Sequence, residues 1–211
     1  MGGAAVKTRA EIGQERRERT RKRLLSAAAQ TIAQFGERKA TIDDFIQAAG
    51  VARGTFYNCF DTREDLLDAL WEQVGKNPFL DIRARSRRLK DPAARLVCEA
   101  RMVFERARAD PTWGWLVYSL SSDDATVNED LRTYPTSDLK AGLAANRFDF
   151  DDIASARDLV VGTVRVGMRV LLTEERSPGY EASLCKLLLR ALGVKSAEAS
   201  RIVALPVPQL D

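Results

Sequence analysis

An all-α fold is what this sequence predicts, with a small amino-terminal three-helix helix-turn-helix domain followed by a larger helical domain. Three observations carry the expectation. Apolar residues recur three and four apart through nearly the whole chain, with no strand-like alternation. Helix starts are marked repeatedly by Thr-x-x-Asp or Asp-Pro, and stops by Gly. Finally, 211 residues with 45% hydrophobic content suffice for one small head and one larger core, about 55 and about 125 residues.

The chain opens basic. Residues 1–23 hold eight Lys and Arg against three Asp and Glu, whereas residues 24–211 hold 25 against 27, so the surplus of +3 arises entirely at the amino terminus. Residues 1–18 are expected to form a basic flexible arm, because blocks of like charge repel. Arg16, Arg17, Arg19, Arg21, Lys22 and Arg23, leading into a helix, are expected to meet phosphate. Leu24, Leu25, Ala28, Ile32 and Phe35 give the inner side of a first helix that stops at Gly36. Thr41 and Asp44 then have capping-box spacing, and Ile42, Phe45, Ile46 and Ala49 form one buried face. Gly50 supplies the positive φ where that helix ends. The next helix buries Phe56 and Phe60 and presents Arg53, Thr55, Tyr57 and Asn58, side chains of the kind that bond base edges and phosphates. Thr62 and Asp65 repeat the cap ahead of Leu66, Leu67, Leu70, Trp71 and Val74, and the free amides at that helix start suit a phosphate.

Two helices joined by a glycine turn, with a basic run before them and a capped helix after, are a specific combination. Through Ala49-Gly50-Val51-Ala52-Arg53-Gly54-Thr55-Phe56-Tyr57, Phe60 and Thr62-Arg63-Glu64-Asp65-Leu66-Leu67, residues 19–74 resemble the DNA-binding domain of the TetR family of transcriptional regulators. The resemblance implies that the helix bearing Arg53 enters the major groove. Arg53, Gly54, Thr55 and Tyr57 fall on DNA-facing positions, Thr41 on a phosphate-contacting cap and Arg63 on a basic phosphate contact. It also implies a DNA-binding domain over 19–75 and a helical ligand-binding and dimerisation domain over 76–211. The pattern is broken at Cys59, where the family usually has histidine and a thiol is only a weak donor.

Composition narrows the chemistry. Histidine is absent, which removes His-based triads and the commonest transition-metal ligand. There is no glycine-rich phosphate loop, and no acidic cluster has a spacing that compels a metal. No catalytic residue, metal or cofactor is therefore expected. Cys59, Cys98 and Cys185 lie far apart, as free thiols do in a reducing cytoplasm. No apolar run nears the ~20 residues that span a bilayer, and the amino terminus lacks a signal peptide's apolar core, so a cytoplasmic protein without a membrane partner is expected.

Past Val74, Gly75-Lys76-Asn77-Pro78 should break the connecting helix, and Arg83, Arg85, Arg87, Arg88 and Lys90 read as a solvated basic stretch. Asp91-Pro92 and Asp110-Pro111 each set a capping residue before a proline at the first helical position. The helix after Asp91 buries Leu96, Val97, Ala100, Val103, Phe104 and Ala107. The one after Asp110 carries Trp113, Leu116, Val117 and Leu120 on one face and Trp115 with Tyr118 on another. Because pockets are mostly apolar and aromatic, Met102, Phe104, Trp115, Tyr118 and Met168 are the candidate ligand wall, with plain core as the alternative. Asp123, Asp124 and Asn128 cap or solvate a helix running through Leu131, Leu139 and Leu143 around Pro135. Residues 153–172 are apolar on more than one face and must be buried from two sides. A leucine-rich helix ended by Gly193 and a short helix over 196–205 follow. The family resemblance implies that the last two long helices build the dimer interface, with Leu159, Val166, Val170, Leu184 and Leu188 as candidates.

The expected function is that of a homodimeric regulator of transcription that binds double-stranded DNA at a near-palindromic operator. It acts as a repressor released when a small, largely apolar effector of unknown identity enters the carboxy-terminal domain. An activator, or a regulator without an effector, suits the same residues. A helical-bundle enzyme lacks an acid, base and nucleophile brought together, and an adaptor would rest on the basic arm alone.

Overall fold

The computed structural model describes residues 8–36, 39–72, 77–120 and 135–208, and among these all regular structure is helical. The chain divides into two units, Met1–Leu70 and Trp71–Asp211, with the boundary a few residues before the one expected.

In the first unit, helix α1 (Arg9–Phe35) departs from the expectation. Residues 9–18, expected as a flexible arm, are helical. The Thr8 hydroxyl accepts from the Glu11 amide while the Glu11 carboxylate accepts from the Thr8 amide at 2.6 Å, a closed capping box. Glu11, Glu15 and Glu18 interleave with the arginines, so the wound run alternates in sign instead of repelling itself. Residues 1–7 of the expected arm lie outside the described residues. Leu24, Leu25, Ala28 and Ile32 are buried, whereas Phe35 is largely exposed.

Helix α2 (Ile42–Ala49) is held at its start by a reciprocal box, the Thr41 amide donating to Asp44 at 2.8 Å and the Asp44 amide donating to the Thr41 hydroxyl at 3.2 Å. It ends at Gly50, whose φ of 58° is left-handed. Helix α3 (Arg53–Tyr57) has five residues and no side-chain cap, far too few to persist on propensity. Tertiary contacts hold it: Phe56 and Phe60 are buried with ring centroids 5.9 Å apart, and the Arg21 guanidinium lies 4.4 Å above the Phe60 ring. Helix α4 (Arg63–Leu70) opens on the Thr62–Asp65 box and buries Leu66, Leu67 and Leu70. α1 packs on both α2 and α4. After Leu70 the chain takes a wider π-type turn at Trp71 and Glu72. Val74 and the expected break at Gly75 and Lys76 lie outside the described residues.

The second unit is built around one helix. α5 (Asn77–Ser86), α7 (Pro111–Leu120), α8 (Thr136–Ala144), α9 (Ile153–Thr173), α10 (Tyr180–Ala191) and α11 (Ser196–Val203) all pack on α6 (Pro92–Ala109). Both Asp-Pro caps form: Asp91 accepts from the Ala93 amide and Asp110 from the Trp113 amide, each at 3.1 Å. Arg147 clips the start of α6 to α11, with Nε and Nη2 on Asp91 at 3.0 and 2.9 Å and Nη1 on Glu198 at 2.8 Å. Gly167 admits two neighbours at once, since a Cβ there would sit 2.7 Å from Leu184 and 2.9 Å from Phe104. The helix expected around Leu131, with Asp123, Asp124 and Asn128, lies outside the described residues.

Candidate nucleic-acid interface and ligand cavity

In the first unit, α3 turns Phe56 inward, leaves Arg53, Gly54 and Tyr57, with the following Asn58, exposed, and leaves Thr55 half-exposed. The Arg53 guanidinium meets the Asp43 carboxylate at 2.8 Å, both side chains largely in solvent. The Tyr57 hydroxyl and then Asp43 favour its charged form and raise its pKa. An exposed pair of this kind contributes little to stability, so Arg53 can leave Asp43 for a base edge at small cost. From α1, Arg16, Arg17 and Thr20 line an open groove together with Thr55, Tyr57, Asn58 and Cys59. Two cations thus stand beside the polar face of α3.

Arg21 and Arg23 of the basic run are used differently, against the expectation that residues 16–23 act together on phosphate. Arg21 covers Phe60, and Arg23 donates from Nε to the Ala49 carbonyl and from Nη2 to the Gly50 carbonyl, each at 2.6 Å. One continuous helix points its arginines to different sides, and Arg23 is the one that holds the turn after α2. The two expected phosphate contacts also have partners in the protein. Arg63 donates from Nε to the Ala40 carbonyl at 3.1 Å, and the Thr41 hydroxyl donates to Asp44 at 2.6 Å.

Within the second unit, α5, α6, α7 and α9, with Pro135, line a half-open cavity of ≈ 70 Å³. Its apolar wall includes Phe79, Leu96, Val103, Val117, Val160 and Met168. Of the five residues expected at a ligand wall, the structure brings only Met168 there. Met102 and Phe104 are buried in the packing of α6, Phe104 against Gly167. Trp115 and Tyr118 are half-exposed and meet edge-to-face at 5.7 Å outside the cavity lining. The aromatic that does border the cavity, Phe79, stands 5.9 Å from Trp71 and 5.5 Å from Trp113.

Two charged residues of the wall, Glu99 and Arg165, were not anticipated. Glu99 accepts from the Ser86 hydroxyl at 2.5 Å on Oε1. Burial pushes its carboxyl up to about 7, opposed first by the Ser86 bond and, more weakly, by Arg83 and Arg95, while Asp138 adds to the rise. Arg95 is itself paired with Asp138 at 2.7 Å. Arg165 Nε is buried without a hydrogen-bond partner among the described residues, and its guanidinium lies 4.7 Å from the centre of the Tyr118 ring. A signal for both was present in the sequence. Glu99 is three residues after Leu96 and four before Val103, on the buried stripe, and Arg165 interrupts an apolar helix between Val164 and Val166.

Of the interface candidates, Leu159 and Val166 on α9 are 41% and 55% exposed. Val170 and Leu188 instead face their own core, and Leu184 is half-buried against Gly167. The exposed leucine of α10 is Leu187, 57% accessible. The basic stretch after α4 is tied locally, with Arg83 on Ser137 and Arg85 on Asp81, each at 3.0 Å. Burial pushes the Cys98 and Cys185 thiols up to about 11 and about 12, which leaves them unreactive. Among the described residues no helix is long and apolar enough to cross a membrane.

Comparison with known proteins covers both units. The family described as "Bacterial regulatory proteins, tetR family" matches residues 24–70, and "Tetracyclin repressor-like, C-terminal domain" matches residues 91–205. The chain is similar to the crystal structure of RolR in complex with resorcinol, at 26% identity over 94% of this chain and 100% of that one, with a TM-score of 0.69. It is also similar to the fatty acid degradation regulator FadR from Bacillus halodurans, at 28% identity over 81% and 94% of the two chains, with a TM-score of 0.64. The uncharacterized HTH-type transcriptional regulator YvdT of Bacillus subtilis (strain 168) is 35% identical over 63 residues, and the match spans about a third of that relative's length.

Proposed function

We propose, for a chain that belongs to the TetR family of transcriptional regulators, that it is a homodimeric repressor released from its operator by a small, largely apolar effector. The observation that carries this reading is the cavity beside α6, apolar on most of its wall with a carboxylate and a guanidinium in it. Pockets that bind small molecules have that composition, and the similarity to RolR with resorcinol bound extends over 94% of the chain. Two heads on one duplex would place their α3 helices in successive major grooves, about 34–36 Å apart or a multiple of it, so the operator would be near-palindromic. The effector must bind one arrangement of the dimer better than the other, because a ligand shifts only an equilibrium whose states it distinguishes. α4 ends at Leu70, the last residue of the first unit, and Trp71 opens the second. The chain connection at this point is the proposed route by which an effector acts on the head.

The test is a gel shift with the DNA flanking the protein's own gene. Binding to one fragment over competitor DNA supports the reading, and an absence of preference for any fragment overturns it. On that operator, Arg53→Ala should weaken binding roughly tenfold to a hundredfold and flatten preference at one base position, while the melting temperature stays put. An equal loss on every sequence would reassign Arg53 to phosphate. For the dimer, the exposed residues Leu159, Val166 and Leu187 form the proposed contact. Val166→Glu with Leu187→Glu places like charges across a two-fold axis and should raise the dimer dissociation constant by about 100-fold or more. Sedimentation would then show monomers, and a persistent dimer would put the interface elsewhere.

A further inference from the structure

The wall of the second-unit cavity combines many apolar side chains with Glu99 and Arg165. Among the described residues neither group is fully satisfied. Ser86 from α5 bonds Oε1 of Glu99, which leaves Oε2 for a guest, and Arg165 Nε from α9 is buried with no partner among the described residues. An unpaired buried donor is costly, and a ligand atom that accepts from it recovers that cost. The other charges around Glu99 have partners of their own, Arg95 of α6 with Asp138 of α8 and Arg83 of α5 with the Ser137 hydroxyl.

We infer that this cavity selects a small, neutral ring compound bearing a hydroxyl group, whose O–H donates to Glu99 and whose oxygen accepts from Arg165. The inference rests on the cavity being the effector site. Three considerations set the ligand class. Most of the wall is aliphatic or aromatic, so the body of the ligand is apolar. An anionic ligand would be drawn to Arg165 but repelled by Glu99 wherever that carboxyl is ionised, whereas a neutral hydroxyl satisfies both polar groups. At ≈ 70 Å³ the space is about half of the roughly 150 Å³ that accepts benzene in an engineered protein cavity. A ring enters only if α6 and α9 part slightly. That parting gives the ligand the preference between two states that release from an operator requires. The carboxyl of Glu99, held near 7, adds a pH signature, because the ionised form is the stronger acceptor for the ligand's hydroxyl.

The experiment is a fluorescence titration of the full-length protein with phenol, methoxybenzene, toluene and benzoate, followed through Trp113, which stacks on Phe79 in the cavity wall. Phenol is expected to bind at least about tenfold tighter than toluene, with methoxybenzene, which keeps the acceptor and loses the donor, between them. E99Q should collapse the gap between phenol and methoxybenzene, and R165M the gap between methoxybenzene and toluene. The advantage of phenol should grow from about pH 6 to about pH 8 in the unaltered protein and stay flat in E99Q. Equal binding of phenol and toluene, or benzoate binding tighter than phenol, overturns the inference. If either variant fails to fold, the ligand series on the unaltered protein decides alone. A gel shift on the same preparation separates the two readings. Intact operator binding without the ligand order defeats only this inference, whereas loss of all sequence-preferring DNA binding defeats the regulator itself.

Discussion

Arg23→Met is expected to weaken operator binding without touching any base-reading side chain. Arg23 reaches from α1 to the carbonyls of Ala49 and Gly50, both at 2.6 Å, where α2 ends and its last carbonyls lack partners within the helix. A guanidinium there supplies two charge-assisted bonds and a favourable charge at the negative end of the helix dipole. Methionine keeps much of the apolar stem and removes every donor. Solvent can reach part of this site, so the loss should be about 2–3 kcal/mol and not the full value of two buried bonds. A unit of about 70 residues has stability on the order of only 5 kcal/mol, and the loss falls on the turn that sets the angle between α2 and α3. Hydrogen exchange resolved by segment checks this directly: amides of α2 and α3 should exchange about 30-fold faster or more, while those of α6 and α9 are unchanged. Normal protection in α2 together with lost DNA binding would mean that Arg23 works on phosphate after all.

Glu99→Gln is expected to stabilise the second unit at high pH and to do nothing of the kind at low pH. The carboxyl of Glu99 is pushed up to about 7 by burial, from an ordinary value of 4.5. An acid whose pKa is raised on folding keeps its proton longer in the folded state. Its contribution is therefore neutral below about 4.5, and stability falls as pH rises from there through 7, by roughly 3 kcal/mol at most once both states are ionised. The amide keeps the shape and can still accept from Ser86, but it never ionises. Urea unfolding should show the variant more stable than the parent by about 1–3 kcal/mol at pH 8 and equal or slightly weaker near pH 5. All three tryptophans, Trp71, Trp113 and Trp115, lie in the second unit, so their emission reports this transition. Parallel pH curves for parent and variant would sink the account of Glu99 as a carboxylate buried at a cost.

The helix-turn-helix was readable because its signals are local. Thr41 with Asp44, Thr62 with Asp65 and the left-handed Gly50 each involve residues within a few positions of one another, and so do both Asp-Pro caps. The amino-terminal extension of α1 carries a signal of the same kind in Thr8 and Glu11, and its interleaved glutamates offset the charge density that otherwise favours an arm. The cavity was less accessible to such reading. Which faces of α5, α6 and α9 converge depends on packing between helices distant in sequence, so aromatic content pointed to Trp115 and Tyr118 while the structure put Glu99 and Arg165 on the wall. The same limit explains α10: Leu184, Leu187 and Leu188 are adjacent in the pattern, and only the docking of α10 on α6 and α9 decides that Leu187 is the one left facing out.

The brevity of α3 has an evolutionary consequence. Among its five residues only Phe56 is buried, and the turn before it is fastened from α1 by Arg23. The other four positions carry almost no share of the fold. A lineage can therefore rewrite Arg53, Gly54, Thr55 and Tyr57 for a new operator without first acquiring stabilising changes elsewhere. Retargeting the head then becomes a matter of few substitutions, each open to selection on DNA preference alone.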